Sequence, residues 1–152
     1  MTSTFWKPDH LSVLILEDDL DMRLFIRRML GRDPRFDTYY ESDEASQAIA
    51  LAKSKKPDLI ILDQYIQGIA TGLDAAPLLK KVAPCSRIIL FTGQDLFRMI
   101  SGVPAIDAYV PKAYLSKLLP TAQKLIQIEH EEHEGCARFV AAPSIRDVAK
   151  VR

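Results

Sequence analysis

Short apolar runs alternate along this chain with segments of helical periodicity, and this alternation limits the fold more than any other feature. The runs are SVLIL at 12–16, FDTYYE at 36–41, LIIL at 59–62, RIILF at 87–91 and DAYVP at 107–111. Three of them are almost entirely apolar, as in parallel strands that are buried on both faces. Five strand–helix repeats joined by right-handed crossovers predict a doubly wound α/β fold with one five-stranded parallel sheet.

The segments between the runs carry helical patterns. The first places five apolar residues at helical spacing on one face: Met22, Phe25, Ile26, Met29 and Leu30. We expect a second helix after an N-cap at Ser42 or Asp43, a third over 73–82 and a short fourth over 94–101. The last helix is predicted to begin near Tyr114 or Leu115 and to continue to about Glu134.

The composition excludes several classes of protein. The 152 residues include 20 basic and 20 acidic side chains, so no basic excess favours direct binding to nucleic acid. No apolar run approaches the about 20 residues that span a bilayer, and the N-terminus lacks the pattern of a signal peptide. Cys85 and Cys136 give neither a metal spacing nor a disulfide framework, which is typical of a reducing compartment. We therefore expect a cytoplasmic protein that does not enter the membrane.

Polar residues follow the predicted strands at the edge of the sheet where ligands bind in open α/β folds. They are Glu17, Asp18 and Asp19 after the first strand, Asp63 after the third, Thr92 after the fourth and Lys112 after the fifth. If the first and third strands are neighbours, Glu17, Asp18 and Asp63 converge. Two carboxylates about 4 Å apart repel each other by about 4 kcal/mol at an effective dielectric constant of about 20, unless a cation or a proton relieves them. Carboxylates without a nearby His or Cys favour Mg²⁺ over zinc.

The motifs at these strand ends resemble those of the receiver domains of two-component response regulators. They are LILEDD at the first strand, PDLIILD at the third, ILFTG at the fourth and AYVPK at the fifth. The resemblance covers roughly residues 11–128. It implies a flavodoxin-like (βα)5 fold with the strand order 2-1-3-4-5.

The resemblance also implies a phosphorylation site. Asp63 is then the phosphoacceptor, Glu17 and Asp18 are the acidic pair that binds Mg²⁺, and the backbone carbonyl of Tyr65 is a further metal ligand. The phosphoryl donor is a phosphohistidine on a histidine kinase or on a histidine phosphotransfer protein. A carboxylate can attack phosphorus in line when cations neutralise the oxygens of the phosphoryl group.

Three further residues match the switch of the family. Lys112 is the lysine that contacts phosphate, Thr92 the switch hydroxyl, and Tyr109 the aromatic side chain that reorients. Phosphorylation adds about two negative charges; Thr92 then moves to bond the new oxygens, and Tyr109 fills the vacated space. The implied output is binding to a downstream protein rather than enzymatic activity.

The sequence departs from the family pattern at three places. Ala113 follows Lys112 where the family has proline, and a non-proline cis peptide costs about 3 kcal/mol, so this loop is either trans and differently shaped or strained. After Asp63, Gln67 stands where proline is typical, and Gly72 comes one position later than the usual glycine. The stretch 94–106 is short, which predicts a stunted fourth helix.

Two other functions remain open on the sequence alone. Each motif taken singly has a simpler explanation, since acids cap helices and turns and an isolated lysine is usually solvated. A degenerate receiver would keep the fold as a constitutive interaction or dimerisation module. An enzyme with an aspartyl nucleophile, as in haloacid-dehalogenase-like folds, needs a second acid two residues after the nucleophile, where Tyr65 stands.

The predicted domains are an N-terminal arm over 1–10, a receiver domain over 11–134 and a tail over 135–152. Arm and tail are too short for a DNA-binding or catalytic output domain, so we expect a stand-alone receiver. Apolar residues of the tail either dock on the domain or form a homodimer contact: Phe139, Val140, Ile145 and Val148. His130 and His133 lie among glutamates, which favours a solvated helix face over a metal site.

Overall fold

The computed structural model describes residues 9–68 and 71–128, which contain five β-strands. They are β1 (Leu11–Leu16), β2 (Phe36–Ser42), β3 (Leu59–Leu62), β4 (Arg87–Thr92) and β5 (Ala108–Pro111). Each predicted apolar run forms a strand, and each strand boundary lies within one residue of the prediction.

Helices follow the strands in alternation. They are α1 (Leu20–Leu30), α2 (Ala45–Lys55), α3 (Gly72–Val82), α4 (Phe97–Ile100) and α5 (Leu118–Ile128). A 3₁₀ helix (Lys112–Lys117) connects β5 to α5. Among these residues, no helix is long and apolar enough to cross a membrane.

The five strands form one parallel sheet in the order β2-β1-β3-β4-β5. The central strands β3 and β4 are buried along their whole length, which is why their sequences are nearly continuous apolar runs. The edge strands carry residues that a central strand would not tolerate, such as the exposed Asp37 in β2 and Pro111 in β5. The doubly wound fold and the strand order predicted above are both confirmed.

The sheet separates two hydrophobic cores. One core lies under α1 and α5 and includes Ile15 and Ile26, and the other lies under α2 and α3 and includes Leu14 and Leu79. Leu14 and Ile15 are neighbours in β1 that point to opposite faces, as the alternation of a strand requires. Because both faces are packed, the carboxyl ends of β1, β3 and β4 form a fixed platform.

Three local predictions need correction. Helix α4 is a single turn rather than the helix predicted over 94–101, because the backbone of Gln94 is bonded to Thr92 and Tyr109 instead of to a helix. The N-cap of α2 is Glu44 rather than Ser42 or Asp43, since β2 extends through Ser42. Phe25 is 43% exposed although its spacing placed it on the buried face of α1.

The predictions for the tail over 135–152, for His130 and His133, and for most of the N-terminal arm lie outside the described residues. The domain boundaries at residues 10 and 134 therefore stay predictions.

Candidate functional site

Three of the predicted acidic residues lie together at the carboxyl ends of β1 and β3. These strands pair Leu16 with Leu62, so the residues that follow, Glu17 and Asp63, are adjacent. The amide of Asp63 donates to the carbonyl of Leu16 at 3.0 Å, which continues the ladder into the site. Glu17 and Asp63 are buried and Asp18 is exposed, and one carboxylate oxygen of each lies within 4.8 Å of the others. The predicted convergence of these three acids is present in the structure.

Asp19, the next acid in the sequence, has a different role. It is the N-cap of α1, and its Oδ1 accepts a hydrogen bond from the amide of Met22 at 2.8 Å. Its own amide donates to Oε1 of Glu17 at 3.1 Å. Asp19 therefore fixes the start of α1 and helps to orient Glu17, as expected of an acidic N-cap.

Lys112 directly follows β5, which lies two strands away from β3 in the sheet, and its side chain reaches the acidic cluster. Its Nζ lies 2.7 Å from Oε2 of Glu17 and 2.7 Å from Oδ2 of Asp63. No cis peptide bond occurs among the described residues, so the peptide before Ala113 is trans and the chain turns directly into the 3₁₀ helix. Of the two alternatives left by the sequence, the trans loop of different shape is the correct one, and it still brings Lys112 to Asp63.

The charges of this cluster are strongly coupled. Burial raises the pKa of Glu17 to about 7, and the charge of Asp63 adds to this, while the bond from Lys112 opposes it. Burial alone would lower the pKa of Lys112, but its bonds to Asp63 and Glu17 outweigh burial and raise that pKa. The carboxylates therefore lack full compensation, which is the situation that a bound cation relieves.

The donor set of the cluster fits Mg²⁺. It offers three carboxylates, which are the hard oxygen ligands that Mg²⁺ prefers. Lys112 offsets one of the three negative charges that these carboxylates carry when ionised, and a divalent cation would neutralise the other two. The position of Asp18 at the surface leaves the cluster open to solvent on one side.

The predicted switch residues meet at Gln94, a residue that the sequence analysis missed. Thr92 is fully buried at the end of β4, and its Oγ1 lies 3.4 Å from the amide of Gln94. The hydroxyl of Tyr109 donates to the carbonyl of Gln94 at 2.7 Å. The side-chain amide of Gln94 also donates to the hydroxyl of Tyr65, which is 60% exposed. The only sequence signal for Gln94 is its position two residues after Thr92.

Tyr109 is already buried, with 4% of its surface exposed. The sequence interpretation has this ring entering the interior only after Thr92 has moved. In the structure Thr92 and Tyr109 are both inside and are joined through one residue, so any movement of Thr92 acts on the same backbone that holds Tyr109.

Two more residues that support the site carried no recognisable role in the sequence. The amide of Gln64 donates to Oδ1 of Asp63 at 2.7 Å. Gly72, the displaced glycine, begins α3 directly against Asp63: a Cβ on it would lie 2.1 Å from the Asp63 carbonyl oxygen. Its late position in the sequence signals the insertion, but the close contact is visible only in the structure.

The family model of the response regulator receiver domain matches residues 13–127. The curated relatives include the transcriptional regulatory protein PdtaR of Mycobacterium tuberculosis, which is 32% identical over 73% of this chain and 54% of the relative. A protein-glutamate methylesterase/protein-glutamine glutaminase of Nitrosospira multiformis is 25% identical over 84% of this chain and 34% of the relative. This chain spans about half the length of PdtaR, and the two relatives differ in function: one is a transcriptional regulatory protein and the other a methylesterase/glutaminase.

The fold is also that of solved receiver structures. A receiver domain protein of Methanospirillum hungatei, described as CheY-like, superposes with a TM-score of 0.70 at 18% identity, over 80% of this chain and 98% of that one. At 18% identity this similarity establishes the fold alone. Membership of the family rests on the family model, which matches most of the chain. The family model, the strand order and the acidic cluster agree: the chain belongs to the response regulator receiver domain family of two-component systems.

Proposed function

We propose that this chain is a phosphorylation-dependent signalling switch that accepts a phosphoryl group on Asp63. The observation that carries the proposal is the setting of Asp63, buried at a strand end with Lys112 on Oδ2 and with Glu17 and Asp18 beside it. The donor would be a phosphohistidine of a histidine kinase or of a histidine phosphotransfer protein.

The proposed reaction is an in-line displacement at phosphorus. An oxygen of Asp63 forms the new bond to phosphorus, the phosphorus–nitrogen bond of the phosphohistidine breaks, and the imidazole leaves with the electron pair. Mg²⁺, held by Glu17, Asp18, Asp63 and the carbonyl of Tyr65, would neutralise charge on the phosphoryl oxygens. Lys112 is placed to offset further charge from the opposite side.

The added charge is the proposed signal. An aspartyl phosphate carries about two negative charges into a cluster that is already acidic, so the bonds of Lys112 to Glu17 and Asp63 have to rearrange. Thr92 would turn its hydroxyl towards the phosphoryl group and weaken its contact with Gln94. Because Tyr109 is bonded to Gln94, the change reaches the surface near β5, where we propose that a downstream protein binds.

The remaining properties proposed here follow from the same assignment. We propose a regulator without enzymatic activity of its own that does not bind nucleic acid directly. The cytoplasmic location, the stand-alone architecture and the role of the tail, as a docking segment or a homodimer contact, stay predictions from the sequence.

The decisive experiment is intact mass spectrometry after incubation with acetyl phosphate and Mg²⁺. We expect one phosphate on the wild type, none without Mg²⁺, and none on Asp63→Asn. Asp21→Asn, which neutralises an exposed acid of α1, is the matched control and should be phosphorylated like the wild type. A folded wild type that gains no phosphate from acetyl phosphate or from a kinase would favour the degenerate receiver. Repeated turnover of a phosphate ester would favour the enzyme.

A further inference from the structure

We propose that Gln64 is a positioning residue for phosphoryl transfer. Its side chain anchors the start of the β3–α3 loop to helix α3, and this anchor holds the Gln64 amide against the carboxylate of Asp63. The inference rests on the proposed function, since it concerns the reactivity of Asp63 as a phosphoacceptor.

The two carboxylate oxygens of Asp63 have donors of different kinds. Oδ2 accepts from Nζ of Lys112 at 2.7 Å, and Oδ1 accepts from the amide of Gln64 at 2.7 Å. Lys112 is a long side chain with several rotatable bonds, whereas the Gln64 amide belongs to the backbone. The orientation of the carboxylate therefore depends on how firmly the backbone of Gln64 is held.

Helix α3 holds Gln64 by two hydrogen bonds, one to its side chain and one to its backbone. The amide of Leu73 donates to Oε1 of Gln64 at 2.9 Å, and the amide of Gly72 donates to the Gln64 carbonyl at 3.0 Å. The Gln64 side chain is 9% exposed, so water competes little for its oxygen. Gln64 thus joins the phosphoacceptor to the first turn of α3.

The first turn of a helix has four amides without partners inside the helix, and here each has another partner. Gln64 accepts from two of them, those of Gly72 and Leu73. A capping box satisfies the other two: the Thr71 hydroxyl accepts from the amide of Asp74 at 3.3 Å, and Oδ2 of Asp74 accepts from the amide of Thr71 at 3.3 Å. The end of α3 is therefore occupied in anchoring its own loop, and half of that anchoring depends on Gln64.

This anchor lies before a long loop. Residues 65–71 separate Gln64 from α3, and the sequence carries one residue more here than the family pattern has. A longer loop has more conformations to restrict. Because Gln64 is bonded to α3 before the loop begins, a change in the conformation of the loop need not move Asp63.

The expected effect concerns rate rather than binding. In the reaction with acetyl phosphate, an Asp63 oxygen forms a bond to phosphorus, the phosphorus–oxygen bond to the acetyl group breaks, and acetate leaves with the electron pair. Such a displacement requires an aligned nucleophile, and a misplacement of about 1 Å costs up to about 100-fold in rate. The Gln64 side chain is bonded to α3, so its loss should misplace the Asp63 carboxylate and slow attack even when the Mg²⁺ site is saturated.

The test compares Gln64→Met with the wild type in acetyl phosphate at varied Mg²⁺ concentration. Methionine has a similar length and no strong acceptor for the Leu73 amide. We expect the phosphorylation rate constant at saturating Mg²⁺ to fall roughly tenfold. The amide proton of residue 64 should also shift in ¹⁵N-correlated NMR spectra, as its bond to Asp63 loosens.

Two controls separate positioning from stability. Gln67→Met makes the same substitution at an exposed position of the same loop and should leave the rate unchanged. Thr71→Val removes the hydroxyl bond to the Asp74 amide and should lower the unfolding midpoint while leaving the rate constant of the folded protein intact. If Gln64→Met does not fold, Gln64→Asn replaces it, because its amide is one methylene too short to reach Leu73.

The outcomes distinguish this inference from the function on which it rests. A wild type without an adduct overturns both. A wild type that is phosphorylated on Asp63, with Gln64→Met reacting at the same rate, overturns the positioning role alone. A rate constant that returns to the wild-type value at saturating Mg²⁺ would also contradict it, since Gln64 would then act only through the Mg²⁺ site.

Discussion

Two buried carboxylate sites in this protein are bonded to side chains that lie far away in the sequence. Lys112 bonds to Glu17 and Asp63, which are 95 and 49 residues away. Asp33, in the loop after α1, accepts three bonds from the nearby Arg35 guanidinium, and its Oδ2 also accepts from the side chain of Gln123 in α5 at 3.1 Å. Single side chains therefore join segments that are distant in the sequence: Lys112 joins the end of β5 to the ends of β1 and β3, and Gln123 joins α5 to the loop after α1.

Asp33→Asn tests such a pair through its dependence on pH. The Arg35 bond and that of Gln123 hold the pKa of Asp33 well below its usual value, so the ionised form stabilises the fold. At pH 7 we expect the substitution to lower the free energy of unfolding by about 1–3 kcal/mol. The difference in unfolding free energy between the variant and the wild type should shrink below about pH 4. There Asp33 becomes protonated in the unfolded chain while it is still ionised in the folded protein, so the ionised form contributes less to stability.

Urea unfolding at pH 7 and at pH 3, followed by circular dichroism, measures this difference. The exposed Asp9 provides the control, because Asp9→Asn should leave stability nearly unchanged at both pH values. An equal loss for Asp33→Asn at pH 7 and pH 3 would show that the side chain contributes by packing and not by its charge.

At the scale of elements, contacts at the ends decide what the periodic patterns leave open. Helix α4 is reduced to one turn because Gln94 bonds to Thr92 and Tyr109. Helix α3 begins at Gly72 because only a residue without a Cβ fits against the carbonyl of Asp63. The start of α3 borders Asp63, and the residues before α4 bond to Thr92 and Tyr109, so the lengths of these helices and the geometry of the candidate site are set by the same contacts.

Gly72→Ala should be strongly destabilising. The added Cβ would lie 2.1 Å from the Asp63 carbonyl oxygen, and a forced shift of a packed helix costs about 1–3 kcal/mol. We expect a lower urea midpoint and slower phosphorylation of Asp63. For Gly93→Ala the structure leaves open space around the new atom, so stability should be unchanged or slightly raised. Equal urea midpoints for the two variants would contradict the contact.

For the whole molecule, the net charge conceals an uneven distribution. The chain has 20 basic and 20 acidic side chains, yet three carboxylates meet at one end of the sheet with Lys112 among them. The two cores hold β1 and β3 rigidly, so these acids cannot move apart to reduce their repulsion. The fold therefore keeps the acids together, and a cation that binds them should stabilise the whole domain.

Mg²⁺ should raise the stability of the folded protein. At a Mg²⁺ concentration about 100 times the dissociation constant, linkage predicts a gain of about 2.7 kcal/mol in the free energy of unfolding. Urea unfolding in MgCl₂ and in NaCl of equal ionic strength measures this gain. Asp18→Asn should reduce it strongly, whereas Asp21→Asn should retain it, since both acids are exposed and only Asp18 belongs to the cluster. If Mg²⁺ stabilised both variants equally, the ion would bind at a site other than this acidic cluster.

The sequence by itself determined the strands, most of the helices and the positions of the acids. Apolar periodicity and the polar residues that end each run are local signals, and Glu17, Asp18 and Asp63 follow from them once β1 and β3 are neighbours. The family resemblance supplied the strand order and the role of Lys112.

Only the tertiary structure decided how these parts meet. It showed that Lys112 reaches Asp63 through a trans peptide, that Gln64 bonds to Asp63, that Gln94 bonds to Thr92 and Tyr109, and that α4 is one turn long. These contacts join residues that are distant in sequence or depend on the exact end of a helix. Such contacts leave no periodic pattern, because they are created by the packing of complete elements and not by local preference.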